Sequence, residues 1–285
     1  MNQIMVASRV HCASRIGWIG ILFLVTTMIF FVAWDVAKVG GGCRFTTRQK
    51  VSPYQAPAEA LSQSAPDHVA KLHFPNGIDT VIIDIGLNSE ILEPAANEFV
   101  VAVEANLDSI RDYHLSDLCA DLQRCTLINA AVTKTGGLVE LHRTSRRGGG
   151  HSLYLPGQGM DRMSSWVPAI SLKQILDAIP QEIKIFLKTD TNGNDVGVLQ
   201  SAGASIKRIQ QVQAETIEYP DTRSRGGMPA NQGQNMKTHM SEMGFTARVM
   251  KESHPAPGKA YIDYVFWKGT GTGQFFPRKA RAYRP

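Results

Sequence analysis

The chain has 285 residues, 43% hydrophobic and 19% charged, an ordinary balance for a globular domain and long enough to bury a full core. Its net charge of +5 is concentrated at one end. Up to Lys50, Arg9, Arg15, Lys38, Arg44, Arg48 and Lys50 face only Asp35, so the remainder is neutral. A neutral body excludes a broad nucleic-acid surface. The basic tail of Arg278, Lys279, Arg281 and Arg284 reads as a solvated, frayed terminus.

Residues 1–15 are a short tail before an uncharged stretch of about 19 residues, Ile16 to Trp34, enough to cross the ~30 Å hydrocarbon core as a helix. Trp18 and Trp34 bracket it as interface anchors. It exceeds a signal-peptide core of roughly 7–15 residues and lacks a small-x-small cleavage site, so a signal anchor is expected. Arg9 and Arg15 on one flank balance Lys38, Arg44 and Arg48 on the other, leaving orientation open. A short tail before a single span commonly stays cytosolic, which places the rest of a single-pass protein in the Golgi or endoplasmic-reticulum lumen. No Asn-x-Ser/Thr sequon marks that side. Residues 35–71 have the Gly, Pro, Ala and Ser texture of a stem, and a domain is expected over 72–285. The cysteines show no metal-ligand spacing. Cys12 is positioned for S-acylation, and Cys119 and Cys125 are either a disulfide or buried thiols.

Within the domain, Val81–Ile85 is a short apolar, β-branched run that reads as a buried parallel strand. It ends on Asp84, Gly86 and Asn88, tight-turn residues for a strand-to-helix handover against a ligand. A short helix is expected around Glu90–Ala96. The next strand, Phe99–Val103, stops at Glu104, an acid about 20 residues after the glycine turn, placed to hold both hydroxyls of a ribose. There follow a helix over Leu107–Leu122, strands Thr126–Val132 and Leu138–His142, and a polar glycine-rich loop, Thr144–Gly159. Then come a serine-capped helix Ser171–Ala178, a strand Ile183–Leu187 and a helix Asp195–Ala204. The last expected elements are a strand Ile209–Ala214 ending at Glu215, a helix Met236–Met243, and an antiparallel pair, Arg248–Lys251 with Tyr261–Trp267. The alternation implies an α/β, doubly wound, Rossmann-like sheet with its ligand at the switch point.

Three blocks in this order, DIGLN with VEAN, LINAAVTKTGGLVELHR, and IFLKTDTNGNDVGVLQSAGASIKRIQQVQAET, resemble the FkbM family of S-adenosylmethionine-dependent methyltransferases. They cover roughly Thr80 to Glu215. The resemblance implies a class I methyltransferase fold and methyl transfer to a hydroxyl oxygen of a sugar or related metabolite. Asp84, Gly86 and Asn88 would then line the methionine end of the cofactor, Glu104 the ribose, and Asn129 the adenine. Two positions depart from the pattern: Glu90 stands where the family has a second glycine, and Asn192 where it often has Glu.

Methyl transfer to an alcohol needs a group to take its proton. Asp190 is the first candidate, with a helix N-cap as its competing role. His151 is a second candidate base, against a solvated loop histidine. Glu215 and Lys188 are candidate acceptor-binding residues, against an edge salt bridge and a strand-end surface charge. An oxidoreductase would need Gly-x-Gly-x-x-Gly at the first turn and a metal-dependent glycosyltransferase commonly has Asp-x-Asp; neither occurs. Glu90 and Asn192 motivate the non-enzyme alternative, a degenerate methyltransferase domain kept as a binding or scaffold module.

Overall fold

The computed structural model describes residues 21–25, 28–32, 69, 72–143, 151–154, 163–218, 228, 232–256, 259–270 and 279–282. The chain divides into two units, 1–58 and 59–285.

In the first unit, β1 (Ile21–Val25) pairs antiparallel with β2 (Met28–Val32), Ile21 opposite Val32 and Val25 opposite Met28. The helix expected across Ile16–Trp34 is therefore not what these ten positions form. Their β-branched and aromatic residues suit an extended backbone when no lipid enforces internal pairing. Among the described residues no helix is long and apolar enough to cross a membrane. Cys12, Cys43 and the stem lie outside the described residues.

The second unit is built on a seven-stranded mixed sheet. Its parallel centre comprises β3 (Thr80–Ile85), β5 (Glu98–Glu104), β6 (Cys125–Asn129), β10 (Lys184–Thr189) and β11 (Ile209–Glu218). The hairpin of β12 (Thr246–Ala256) and β13 (Lys259–Trp267) closes one edge, β13 running antiparallel to both neighbours. The order β12-β13-β11-β10-β3-β5-β6 reverses direction between β3 and β10, so the switch point lies at the tips of those strands. The expected doubly wound sheet is present.

The strands β3 and β5 are buried along their whole length, which requires cover on both faces. Val81, Ile83 and Ile85 pack with α3 (Leu172–Ala178), α4 (Asp195–Ser201) and α5 (Gln232–Glu242) through Leu176, Leu199 and Met236. Ile82, Val100 and Ala102 pack on the other face with α1 (Leu107–Asp112) and α2 (Leu115–Leu122) through Ile110, Leu115 and Leu118. Ser171 caps α3 in a capping box with Gln174. A side sheet, β7 (Ala131–Val132), β9 (Met163–Ile170) and β8 (Gly137–Arg143), stands beside the main one.

Several elements differ from expectation. Glu90–Leu92 is a strand, β4, not a helix; it pairs with β14 (Ala280–Ala282), Glu90 opposite Ala282. Pro94 disfavours helical geometry at Glu93, and Ile91 and Leu92 are buried. The tail is thereby tied down, with Lys279 3.1 Å from Glu93, rather than frayed at this point. The long helix Leu107–Leu122 is broken at His114, whose φ is +51°. Strand β9, with Pro168 and two serines, gave no alternation to read. Cys119 and Cys125 form a disulfide tying α2 to β6.

Candidate active site

The sheet's switch point opens into a crevice of about 470 Å³, lined by the tips of β3, β5, β10 and β11, by Ala130–Val132, and by the hairpin β12–β13. This is the size range of cofactor and small-ligand sites.

One half is made by strand-to-helix turns. Gly86 has φ +82°, and a Cβ there would lie 2.0 Å from the carbonyl oxygen of Asp190. Only glycine allows the β3 tip to touch the β10 tip this closely. Asn88 also takes a left-handed conformation, φ +54°. Glu104, 7% exposed, receives the N–H groups of this turn: Oε2 accepts from Leu87 at 3.0 Å and Asn88 at 3.2 Å, and Oε1 from Asn106 at 2.7 Å. Burial raises its pKa, and these N–H donors oppose the rise. A further backbone N–H, that of Ala105, also favours the charged carboxylate. Val103, Ala105, Ala130 and Val132 add an apolar wall.

Asn106 caps α1: its Oδ1 accepts from Asp108 N–H at 3.1 Å. Its amide nitrogen therefore faces the other way, 2.7 Å from Ser109 Oγ and 2.8 Å from His151 Nε2. Where the amide N–H₂ donates, Nε2 accepts and the His151 proton is on Nδ1. Beside it, Ser152 Oγ donates to the Asn192 carbonyl at 3.0 Å. Residues 151–152 thus span from the β5 side of the crevice to the loop after β10.

In the other half stand Asp190, Glu215 and Asp263 with Lys251, Ser253 and Tyr261. Burial pushes the Asp190 carboxyl up; the Lys188 ammonium opposes this, and Asp84 adds to it. Burial likewise raises Asp263, with the Asp190 charge contributing and Lys251 and Lys188 opposing. Asp190 is not a cap for α4. That N-cap is Asn194, and the Asp195 carboxylate takes Thr189 Oγ1 at 2.7 Å and Thr191 N–H at 3.2 Å. Asp195 is fully buried, and burial followed by the Asp190 charge carries its pKa to about 7.

Of the residues singled out in the sequence, the crevice gathers Gly86, Asn88, Glu104, His151, Asp190 and Glu215. Three lie elsewhere. Asp84 points into the sheet's covered face, accepting from Leu92 N–H at 3.1 Å and pairing with Lys188 at 3.1 Å. Lys188 is thereby committed beneath Asp190 rather than to an acceptor; burial lowers its pKa, but the charges of Asp84, Asp190 and Asp195 outweigh that and raise it. Asn129 stitches β6 to β5 by donating to the Glu104 carbonyl at 2.8 Å, and does not line the crevice. Glu90, placed by β4, is exposed and also outside it, whereas Asn192, φ +52°, lines it. Sequence reasoning missed Asn106, Ser109, Lys251, Ser253, Tyr261 and Asp263. An Asn before Leu-Asp-Ser was a readable cap signal; the hairpin residues needed the strand register.

Among solved structures the chain is similar to the N-terminal domain of EvdMO1 with SAH bound, at 10% identity and TM-score 0.37 over 74% of this chain and 84% of that one. The same domain in the presence of SAH and D-fucose gives 11%, 0.39, 80% and 91%. The precorrin-6y C5,15-methyltransferase of Geobacter metallireducens gives 14%, 0.32, 79% and 93%. The chain spans 38% of the length of the longer EvdMO1 chain. No curated protein matches it. The Methyltransferase FkbM domain matches residues 84–247, more than half of the chain, from Asp84 in the first turn to the start of the closing hairpin. Most of the crevice lies within that span, with Lys251, Ser253, Tyr261 and Asp263 beyond it, and the chain belongs to the FkbM family of S-adenosylmethionine-dependent methyltransferases.

Proposed function

We propose that the protein is a membrane-anchored O-methyltransferase acting on a sugar or other hydroxylated metabolite, with its catalytic domain in an oxidising lumen. The observation that carries the reading is the meeting in one crevice of Glu104, at the tip of β5, and Asp190, at the tip of β10. When bound, S-adenosylmethionine supplies an electrophilic methyl group at its sulfonium. The fit of the residues is good: a glycine turn, a carboxylate at the tip of β5 lining the crevice and an apolar wall for a base. Glu104 would hold the ribose, and Gly86 and Asn88 the turn beneath the amino-acid end.

Asp190 takes the proton from the acceptor hydroxyl. Its raised pKa brings it nearer to working pH, where a general base is most effective. His151 is a poorer base in this arrangement, because its Nε2 lies 2.8 Å from the Asn106 amide nitrogen. Glu215 contributes to acceptor binding. Glu90 is exposed and not among the crevice's lining residues, which favours the enzyme over a scaffold. An acceptor of the sugar class is in keeping with EvdMO1, whose structure was obtained in the presence of D-fucose.

Membrane anchoring rests on the uncharged Ile16–Trp34 stretch. In hydrocarbon an isolated two-stranded pair leaves its outer backbone groups unpaired, so lipid selects the helix over the strands. The Cys119–Cys125 disulfide supports a lumenal domain, since cytosolic thiols stay reduced. Protease protection of the domain in sealed microsomes tests the sidedness.

Calorimetric titration of the full chain in detergent with S-adenosylmethionine tests the reading. Binding is expected, and Glu104→Ala is expected to weaken it at least tenfold, about 1.4 kcal/mol or more. Absence of binding by the wild type would sink the methyltransferase proposal.

A further inference from the structure

Opposite the cofactor turns, the hairpin presents a row of side chains that no feature of the methyl donor explains. Glu215 on β11 is paired with Asp263 on β13, and Asp263 with Lys251 on β12. One step along the strands, Ile217 is paired with Tyr261, and Tyr261 with Ser253. Asp190 follows Thr189, whose partner is Ala214, so it stands beside Glu215 at the head of the same row. All but Ile217 line the crevice.

The hairpin reaches this arrangement through an irregularity. Val249 pairs with Tyr264, yet the next pair is Lys251 with Asp263, so Met250 is an inserted bulge residue. Side chains alternate between faces along a strand. In an unbroken register Met250 would oppose Asp263, and Lys251 and Ser253 would point to the other face of the sheet. The bulge turns both into the crevice while Met250 packs against the apolar cluster below. Bulges concentrate next to functional sites because they re-aim a side chain in this way.

Resting on the methyltransferase reading, we infer that the β11–β13–β12 row is the acceptor subsite, and that it takes an uncharged polyol with adjacent hydroxyls and rejects carboxylated or phosphorylated acceptors. Asp263 and Glu215 accept from neighbouring hydroxyls, and Lys251 donates to a hydroxyl or ring oxygen. Tyr261 supplies a ring edge and Ser253 a further polar contact. Among the described lining residues Glu104, Asp190, Glu215 and Asp263 stand against the single ammonium of Lys251, a field that repels an anion. Lys251 is thus a specificity-determining residue delivered by the bulge.

The test uses the full chain in detergent, saturated with S-adenosylhomocysteine, titrated by saturation-transfer NMR with D-galactose and with D-galacturonate, its carboxylated counterpart at one carbon. Galactose is expected to bind at least about 30-fold more tightly than galacturonate. Lys251→Met is expected to weaken galactose at least tenfold with S-adenosylhomocysteine affinity unchanged. Asp263→Asn is expected to reduce the galactose-to-galacturonate ratio at least fivefold. Equal binding of the two sugars, no binding of either, or unaltered galactose binding by Lys251→Met overturns the inference. If S-adenosylhomocysteine still binds in those cases, the methyltransferase reading survives; if it does not, both fail.

Discussion

On one side of the crevice the walls are turns: β3 bending at Gly86 and β5 at Asn106, with three backbone N–H groups converging on Glu104. On the other side the walls are side chains standing on a sheet face, Asp190, Glu215, Asp263 and Lys251 from four different strands. The first half is held by main-chain geometry that a ligand of fixed shape can reuse. The second depends on side-chain identity and on one bulge, and can be re-specified without rebuilding the backbone. A constant cofactor and a changeable acceptor call for that division.

The sharpest way to break the turn side is Gly86→Ala. The new Cβ would meet the Asp190 carbonyl at 2.0 Å on a backbone with φ +82°, so both tips must move apart. Destabilisation of more than about 4 kcal/mol is expected, placing it among the rare severe substitutions. Chemical denaturation measures it. A variant as stable as the wild type would show that the β3–β10 contact is not what holds the crevice shut.

On the side-chain half, Asp190→Asn is expected to lower turnover by roughly 10²–10⁴-fold while leaving cofactor affinity within about threefold, because only proton removal is lost. Stability should not fall, since a buried carboxylate with a raised pKa is replaced by a neutral isostere. Single-turnover methyl transfer reads the first quantity and calorimetry the second. Loss of cofactor binding instead would move Asp190 to the turn side of the comparison.

Bonded to Thr189 and Thr191 at the tip of β10 is Asp195, whose pKa of about 7 contrasts with the ordinary 3.8. Over the window between those values the folded chain keeps a proton that the unfolded chain releases, so stability falls as pH rises from about 4 to about 7. The full penalty is felt above pH 7. Asp195→Asn retains an oxygen for Thr189 and Thr191 and removes the titration. The variant is expected to lose this share of the pH slope and to exceed the wild type at pH 8 by on the order of a few kcal/mol. Parallel unfolding curves at pH 5 and pH 8 decide it; an identical slope in the two proteins would remove Asp195 as the cause.

The same contrast governs what could be read in advance. Glu104 was legible because the glycine turn, the strand and the acid are close in sequence and their spacing follows from one βαβ unit. The strands of the central sheet were legible for a similar reason: each is a continuous apolar run buried on both faces. Lys251 and Asp263 were not, because their meeting depends on register between distant strands and on a bulge that no composition signals. Asp84 misled in a different way. Its place in the motif was right, but side-chain alternation turns it to the covered face, where Lys188 neutralises it. Asn129 likewise sits at a strand tip yet bonds sideways to its neighbour. Position along a strand was readable; facing was not.

The disulfide gives the mildest test of the comparison, because it acts on one half alone. Cys119 on α2 and Cys125 at the start of β6 are six positions apart, and β6 runs from there toward Ala130 and Val132. Closing so short a loop stabilises by about 2 kcal/mol on chain-entropy grounds. In a chain of this size that corresponds to a drop of about 4–8 °C in Tm when the bond is lost. The paired Cys119→Ala, Cys125→Ala variant, followed by calorimetry in the absence of reductant, should show this fall, and reductant should lower the wild type to match. The loosened α2–β6 contact should also weaken cofactor affinity a few-fold, since β6 leads directly into the apolar wall. Acceptor discrimination should be untouched, because β11, β12 and β13 lie across the sheet from the bond. A change in acceptor discrimination with cofactor affinity intact would mean that the two halves are not separately built.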